Sequence, residues 1–241
     1  MKGVVLAGGR GSRITDLTKG SSKCLLKIAN ESIVSQNVRR LCNLDEVSEC
    51  IVVVGYDAEA IMRNLGNCCN SKKISYCIQQ EQKGLINALE AAVMAIGNSD
   101  FFMALGDEYV IDDNYVEAVS EFYKNDYDCL IGIIDAEDPE QVKKTYTFRR
   151  DMEGNMSSFI EKPANPFNTF KGTGNVIFKN KIVQFLKEVP VNRLRGEKEL
   201  VDLFNLLLDK ERTIGSFIVG NSYFNVNTKA EYECLISRLE G

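Results

Sequence analysis

Val4-Val5-Leu6-Ala7-Gly8-Gly9-Arg10-Gly11-Ser12-Arg13 runs a short apolar segment straight into a glycine-rich turn. Apolar residues in an unbroken row ahead of the glycines read as a strand buried on both faces, the kind that opens an α/β unit. Glycines let backbone N–H groups close on phosphate oxygens with no Cβ in the way. Arg13, and Lys23 ten residues further on, can neutralise charge that builds on a phosphoryl group. Two familiar loops fail on spacing. No G-K-[ST] follows, as a P-loop needs, and Ile14 stands where a dinucleotide fingerprint wants its third glycine. The plain structural alternative is a glycine-rich strand-to-helix turn with surface cations.

Outward from that turn, three more apolar runs read as buried strands, at residues 51–54, 101–105 and 129–134. Elsewhere the apolar spacing is helical. Leu85, Ala88, Leu89, Ala92, Val93 and Ile96 fall on one helix face; Leu200, Val201, Phe204, Leu207 and Leu208 repeat the pattern, as do Tyr232, Leu235 and Leu239. Strands alternating with helices predict a doubly wound α/β fold, a three-layer sandwich around a mostly parallel, mixed sheet. Its ligand crevice is expected at the carboxyl ends of the strands. From residue 135 to 178 the texture changes to short alternating strands at 145–148, 156–160 and 173–178, set among Pro139, Pro163 and Pro166. This stretch is read as a small substrate-covering lobe inserted in a single domain of residues 1–241.

The formal net charge is −5, and no Lys/Arg run is long enough to make the basic face of a nucleic-acid or membrane binder. Arg39-Arg40, Lys72-Lys73 and Arg149-Arg150 are isolated pairs, read as solvated surface. Basic residues lining one cleft for a small anion remain compatible with the bulk charge. The eight cysteines form no C-x-x-C pair and no clustered metal-ligand set, which points to buried free thiols and a cytoplasmic location. The first apolar segment is too short for a signal peptide, and no apolar run is long enough for a bilayer. Histidine is absent. Mechanisms built on a histidine base, a Ser-His-Asp triad or histidine-ligated metal are thereby excluded. The nucleophile of such an enzyme must need little deprotonation, and a phosphate monoester qualifies, with a second pKa of about 6.

Leu6-Ala7-Gly8-Gly9-x-Gly11-x-Arg13, followed by Ser22-Lys23-x-Leu25-Leu26, resembles the opening of the sugar-phosphate nucleotidylyltransferases, the family of glucose-1-phosphate thymidylyl- and uridylyltransferases. The resemblance implies that Leu6, Ala7, Gly8, Gly9, Gly11 and Ser12 hold the nucleotide, and that Arg13 and Lys23 are catalytic. It continues down nearly the whole chain. Gln79, five residues before Gly84-Leu85, resembles the segment that reads the base, where amide and backbone groups suit a pyrimidine. Leu105-Gly106-Asp107 resembles the L-G-D whose aspartate holds Mg²⁺, and a carboxylate leaving a buried strand suits a metal that bridges phosphates. Glu161-Lys162-Pro163 resembles the E-K-P whose lysine grips the acceptor phosphate and whose glutamate binds sugar hydroxyls. Arg195-Gly196-Glu197-x-Glu199-Leu200-x-Asp202 resembles the motif that opens a late helix, its arginine on the same phosphate. Gly174 is carried over with this acceptor site. Each later motif has a bland counterpart, such as a polar strand end, a strand-ending turn or an acid-rich helix start that the dipole favours. Their order after the glycine loop gives them weight.

Two positions depart from the hexose pattern. Where hexose members carry D-x-G-T with a second aspartate ligand, this chain has Asn225-Val226-Asn227-Thr228. Asn225, or else Asn227, is then the implied second ligand of Mg²⁺, with less charge. The Tyr-Gly pair upstream of E-K-P is missing around Lys144-Thr145-Tyr146-Thr147, which implies a modified acceptor pocket. The implied activity is transfer of a nucleoside monophosphate from an NTP, a pyrimidine favoured, to a phosphorylated small molecule with release of pyrophosphate. A sugar 1-phosphate heads the acceptors. Two alternatives are a cytidylyltransferase for a phosphocholine-like phosphate or phosphonate and a catalytically weak, nucleotide-sensing regulatory relative. A dinucleotide-dependent oxidoreductase is disfavoured by the missing third glycine. A homo-oligomer is left open, and no appended β-helix or second catalytic domain is expected.

Overall fold

The first apolar run is unbroken because both of its faces are covered. In β1 (Lys2–Ala7), Val4 and Leu6 turn to one face of a sheet while Val5 and Ala7 turn to the other, each into its own core. The computed structural model describes residues 1–11, 14–136, 138–192 and 196–240, leaving aside the side chains of Thr15 and Glu240. After β1 come one helical turn, α1 (Thr15–Thr18), a 3-10 turn (Lys23–Leu25) and a small hairpin of β2 (Lys27–Ile28) and β3 (Glu31–Ser32). Then follow α2 (Ile33–Asn43), β4 (Glu49–Val54), α3 (Ala58–Leu65), β5 (Cys68–Cys69), β6 (Lys72–Ile78) and α4 (Leu85–Ile96). The middle of the chain gives β7 (Phe101–Leu105), β8 (Glu108–Asp113), α5 (Tyr115–Lys124), β9 (Cys129–Asp135), β10 (Tyr146–Arg150) and β11 (Met156–Glu161). The last elements are β12 (Phe170–Phe178), α6 (Leu200–Asp209), β13 (Ile214–Ile218), β14 (Gly220–Asn225) and α7 (Lys229–Glu240).

Eight strands form the central sheet in the order β13-β9-β12-β7-β1-β4-β6-β5. β1 pairs in parallel with both β4 and β7, so that Val5 stands between Val52 and Ala104. The chain therefore winds outward from β1 first one way, through β4 and β6, and then the other, through β7. That reversal opens a crevice at the carboxyl end of β1. One face of the sheet is covered by α4 and α6 through Leu89, Ala92, Phe204 and Leu207; the other is covered by α2 and α5 through Val38, Leu41, Val119 and Phe122. This is the expected three-layer α/β arrangement around a mixed, mostly parallel sheet.

The expected lobe divides. β10 and β11 form an antiparallel pair outside the central sheet, held on α6 by Phe159 against Phe204, with ring centroids 5.0 Å apart. β12, whose residues 173–178 were expected to belong with those short strands, lies inside the central sheet, antiparallel to both β7 and β9. The reason is burial on both sides, since Val176, Ile177 and Phe178 are fully enclosed. Lys72-Lys73, expected as solvated surface alone, begin β6, where Lys73 stays largely exposed. All eight cysteines are free thiols, but only Cys24, Cys42, Cys50 and Cys129 are buried. Among the described residues no helix is long and apolar enough to cross a membrane.

The seam between the β10–β11 pair and the sheet depends on Gly172. A Cβ there would lie 2.1 Å from the ring of Tyr146, whose hydroxyl donates to the Thr173 carbonyl at 2.9 Å. Overpacking of this kind typically destabilises by about 1–3 kcal/mol, and for a chain of this size each kcal/mol lowers Tm by roughly 2–4 °C. Gly172→Ala is therefore expected to melt measurably earlier by calorimetry. An unchanged Tm would show that Tyr146 swings aside freely.

Candidate active site

Glycine at the end of β1 lets three segments meet. Gly8 offers its carbonyl to the N–H of Tyr56 at 3.1 Å, and a Cβ on Gly8 would lie 2.4 Å from Oε1 of Gln79. Gly11 adopts a φ of +62°, in the left-handed region where a side chain is strained. Leu6, Gly8, Gly9 and Gly11 line a cavity of about 540 Å³ at the carboxyl ends of β1 and β7. Ala7 does not face it: its side chain is packed in the opposite core. Ser12 and Arg13 lie outside the described residues.

Gln79 directly follows β6, with its N–H on the Val54 carbonyl at 2.8 Å. Its side chain is buried and donates to the Gly84 carbonyl at 3.3 Å and to Oδ1 of Asn87 at 3.0 Å. This braces the N-terminal turn of α4 beside the glycine loop. Gly84 adopts a φ of +97°, and a Cβ on it would lie 2.7 Å from the Lys198 carbonyl. Both residues line the cavity, joined by Gln82.

The polar floor comes from distant parts of the chain. The Gly106 N–H donates to the Leu6 carbonyl at 2.9 Å, anchoring the turn that carries Asp107 beside the end of β1. The Val226 N–H donates to the Asp107 carbonyl at 3.0 Å, which brings the end of β14 to the same turn. Lys23 stands on the 3-10 turn and pairs its ammonium with the Asp107 carboxylate, both side chains being largely buried at 12% and 15% exposed. It also donates to Oδ1 of Asn227 at 2.6 Å, and Asn227 in turn donates to Oδ1 of Asn225 at 2.5 Å. Asp107, Lys23, Asn225 and Asn227 thus form one linked set.

Among the described residues no three or more His, Cys, Asp or Glu side chains are grouped to hold a metal ion. The donor set that Asp107 and Asn225 offer is one carboxylate and one carboxamide oxygen, both hard. Such a pair fits a magnesium-like cation that takes its other ligands from water and substrate phosphates.

Beside Asp107 is a residue that the sequence reading passed over. Glu108 is 2% exposed, and its carboxylate accepts from the Gly174 N–H at 3.1 and 3.0 Å, from Nδ2 of Asn175 at 3.0 Å and from the Tyr223 hydroxyl at 2.5 Å. Burial pushes its carboxyl up to about 8, partly offset by the hydrogen bonds from Tyr223 and Gly174. The signal was only an acid following L-G-D. Nothing local marks it as inward-facing.

The far end of the cavity carries Lys144, Thr145, Glu161, Lys162, Glu197 and Glu199. Glu161 ends β11 and forms an ion pair at 3.3 Å with Lys162 just past it, and Lys162 takes a φ of +45°, uncommon for a residue with a side chain. Lys144 pairs with Glu231 at 3.8 Å, bringing a cation that the sequence reading did not assign to a site. Gly174 lines the wall and has no room for a Cβ, which would lie 2.2 Å from Leu105. Tyr146 touches the cavity, but its ring is packed against Gly172, Phe159 and Phe204, so it is chiefly a core residue. Arg195 lies outside the described residues, and α6 begins at Leu200 within the motif, with Glu199 at its N-cap and Asp202 in its first turn.

Comparison with known proteins places the chain in a family and matches its fold. The low-salt glycan biosynthesis nucleotidyltransferase Agl11 of Haloferax volcanii is 30% identical over 91% of this chain, which spans 60% of that protein's length. The UTP–glucose-1-phosphate uridylyltransferase AglF of the same organism is 30% identical over 89% of this chain and 86% of its own. A solved structure of UDP-glucose pyrophosphorylase complexed with UDP-glucose superposes with a TM-score of 0.84 at 19% identity, covering 99% of this chain and 98% of that one. At that identity the likeness is one of fold. With residues 2–224 matching the family's sequence pattern, from the first strand into β14, this chain belongs to the Nucleotidyl transferase family.

Proposed function

We propose that this protein transfers a nucleoside monophosphate from an NTP, with a pyrimidine base favoured, to a sugar 1-phosphate or a closely similar phosphorylated small molecule, releasing pyrophosphate. The observation that carries the reading is the linked set of Lys23, Asp107, Asn225 and Asn227, lying between the glycine loop and Lys162 in one cavity. The name of the uridylyltransferase relative supports both the pyrimidine and the sugar phosphate.

The acceptor's phosphate oxygen attacks the α-phosphorus in line, forming the new P–O bond as the bond to the α,β-bridging oxygen breaks. Pyrophosphate leaves with that electron pair. No proton has to be removed from the nucleophile, so the absence of histidine costs nothing. Backbone N–H groups of the glycine loop hold the triphosphate, and Lys23 meets the charge that builds at the α-phosphate. Lys162 and Glu161 seat the acceptor. Asp107 and Asn225 would hold a divalent cation, which neutralises phosphate charge when bound. Positioning and electrostatics are the main levers in such transfers.

One observation favours a second reading. Asn225 supplies a neutral oxygen where hexose members of the family carry an acid, which suits a weakly catalytic, nucleotide-sensing relative. Pyrophosphate release with UTP, dTTP, CTP, ATP and GTP against a panel of phosphorylated metabolites decides between them. Turnover with any pair establishes the transferase. NTP binding with no turnover across the panel establishes the sensor.

Lys23→Ala should lose about 2–4 kcal/mol of transition-state stabilisation, a fall in turnover of roughly thirty- to a thousandfold, in a protein that still folds by circular dichroism but melts earlier because Asp107 loses its ion partner. Near-wild-type turnover would remove Lys23 from the chemistry. Lys162→Ala should raise the acceptor's KM about ten- to a hundredfold and leave that of the NTP little changed. Equal values for both substrates in mutant and wild type would move the acceptor elsewhere. Asn225→Asp should bind Mn²⁺ more tightly in paramagnetic titrations, because a carboxylate adds charge that an amide lacks. If the two titrations coincide, Asn225 is not a ligand and Asn227 takes its place.

A further inference from the structure

β12 leaves the sheet ladder where it passes the cavity. Its pairing with β9 runs from Gly172↔Ile133 to Val176↔Ile131, so Thr173, Gly174 and Asn175 stand opposite the single residue Gly132. A bulge of this kind leaves backbone groups without strand partners. The Gly174 N–H donates instead to both oxygens of Glu108, at 3.1 and 3.0 Å, and the Asn175 side chain adds a third contact at 3.0 Å. The other side of the same carboxylate accepts from the Tyr223 hydroxyl of β14, two residues before Asn225. Glu108 is itself opposite Asn225 in the β8–β14 pairing, and its own carbonyl accepts from Nδ2 of Asn37 at 2.8 Å, fixing its backbone to α2. One buried side chain thus ties together the bulge that walls the cavity and the strand that ends in the polar floor.

We propose that Glu108 is a positioning residue that sets the acceptor wall at Gly174 against the Asp107–Asn225 floor, so that the acceptor phosphate meets the α-phosphorus in line. This rests on the transferase reading above. Three features support it. Glu108 lines the cavity but is almost wholly enclosed, so its contacts are not exchanged for water. Its oxygens are all engaged by groups on β12 and β14, which leaves it to act through them. Gly174, which it holds, sits so close to Leu105 and to Glu108 itself that no side chain would fit there. A misplacement of about 1 Å in such a site is enough to cost on the order of a hundredfold in rate.

The test uses the whole protein with UTP and glucose 1-phosphate, comparing wild type, Glu108→Gln and Glu108→Ala. Glutamine keeps the shape and one acceptor oxygen for the Gly174 N–H, so it should fold and rescue in part. Glu108→Gln is expected to raise the KM of glucose 1-phosphate about tenfold and to lower kcat, with the KM of UTP within about twofold of wild type. Glu108→Ala should show a larger effect in the same pattern. Proportional rises in both KM values, or no change in either, overturn the proposal. Hydrogen exchange of the segment 172–176 is measured alongside and needs no turnover. Faster exchange confined to that segment in Glu108→Gln supports the brace; unchanged exchange, or acceleration throughout the protein, overturns it. A wild-type protein that transfers nothing to any acceptor sinks the transferase reading, and the exchange measurement then decides the brace alone.

Discussion

β1 has a parallel partner on each edge, and most of the architecture follows from that double constraint. A strand held on both edges and covered on both faces can send its chain only out through its end. Because β4 and β7 lie on opposite sides of it, the helices that follow must diverge, and the space between them becomes the crevice. The glycine loop fills that exit. The Gly106 N–H on the Leu6 carbonyl then brings the end of β7 and the turn with Asp107 to the same point.

Several charges in and beside the cavity stand in opposed pairs despite the net charge of −5. Lys23 faces Asp107, Lys162 faces Glu161 and Lys144 faces Glu231. Lys23 and Asp107 are largely enclosed and need each other, since an unpaired charge withdrawn from water is expensive, whereas Lys162 and Lys144 are about half exposed. In the proposed reaction a triphosphate with its counter-cation offers the same two signs, so it can exchange partners with Lys23 and Asp107 without leaving either charge alone. Lys23 has both a carboxylate and a carboxamide within reach.

Glu108 illustrates a different economy. Its carboxyl is buried and raised to about 8, yet it is surrounded by donors, so the low dielectric strengthens each contact as it penalises the charge. Neighbouring positions in the chain have therefore taken opposite tasks. Asp107 looks into the cavity, and Glu108, at the cavity's edge, turns its oxygens to β12 and β14.

Much of this was legible in the residues themselves. Glycines at positions 8, 9 and 11, the apolar runs of β1, β4, β7 and β9, and the helical spacing of α4 and α6 are local signals, written in backbone freedom and side-chain periodicity. They determined the fold class and pointed to a phosphate-bearing ligand, and the absence of histidine determined which chemistries were closed. Tertiary structure alone decided the rest. That β12 enters the central sheet depends on which faces its neighbours cover, and short apolar strands look alike whether they pair at the centre or at a rim. That Glu108 turns inward depends on β8 pairing with a strand 115 residues further along at Tyr223. Ala7 likewise belongs to the loop by sequence and to the opposite core by the alternation of its strand. Local conformation follows from neighbours in the chain; register and burial follow from partners that only folding brings together.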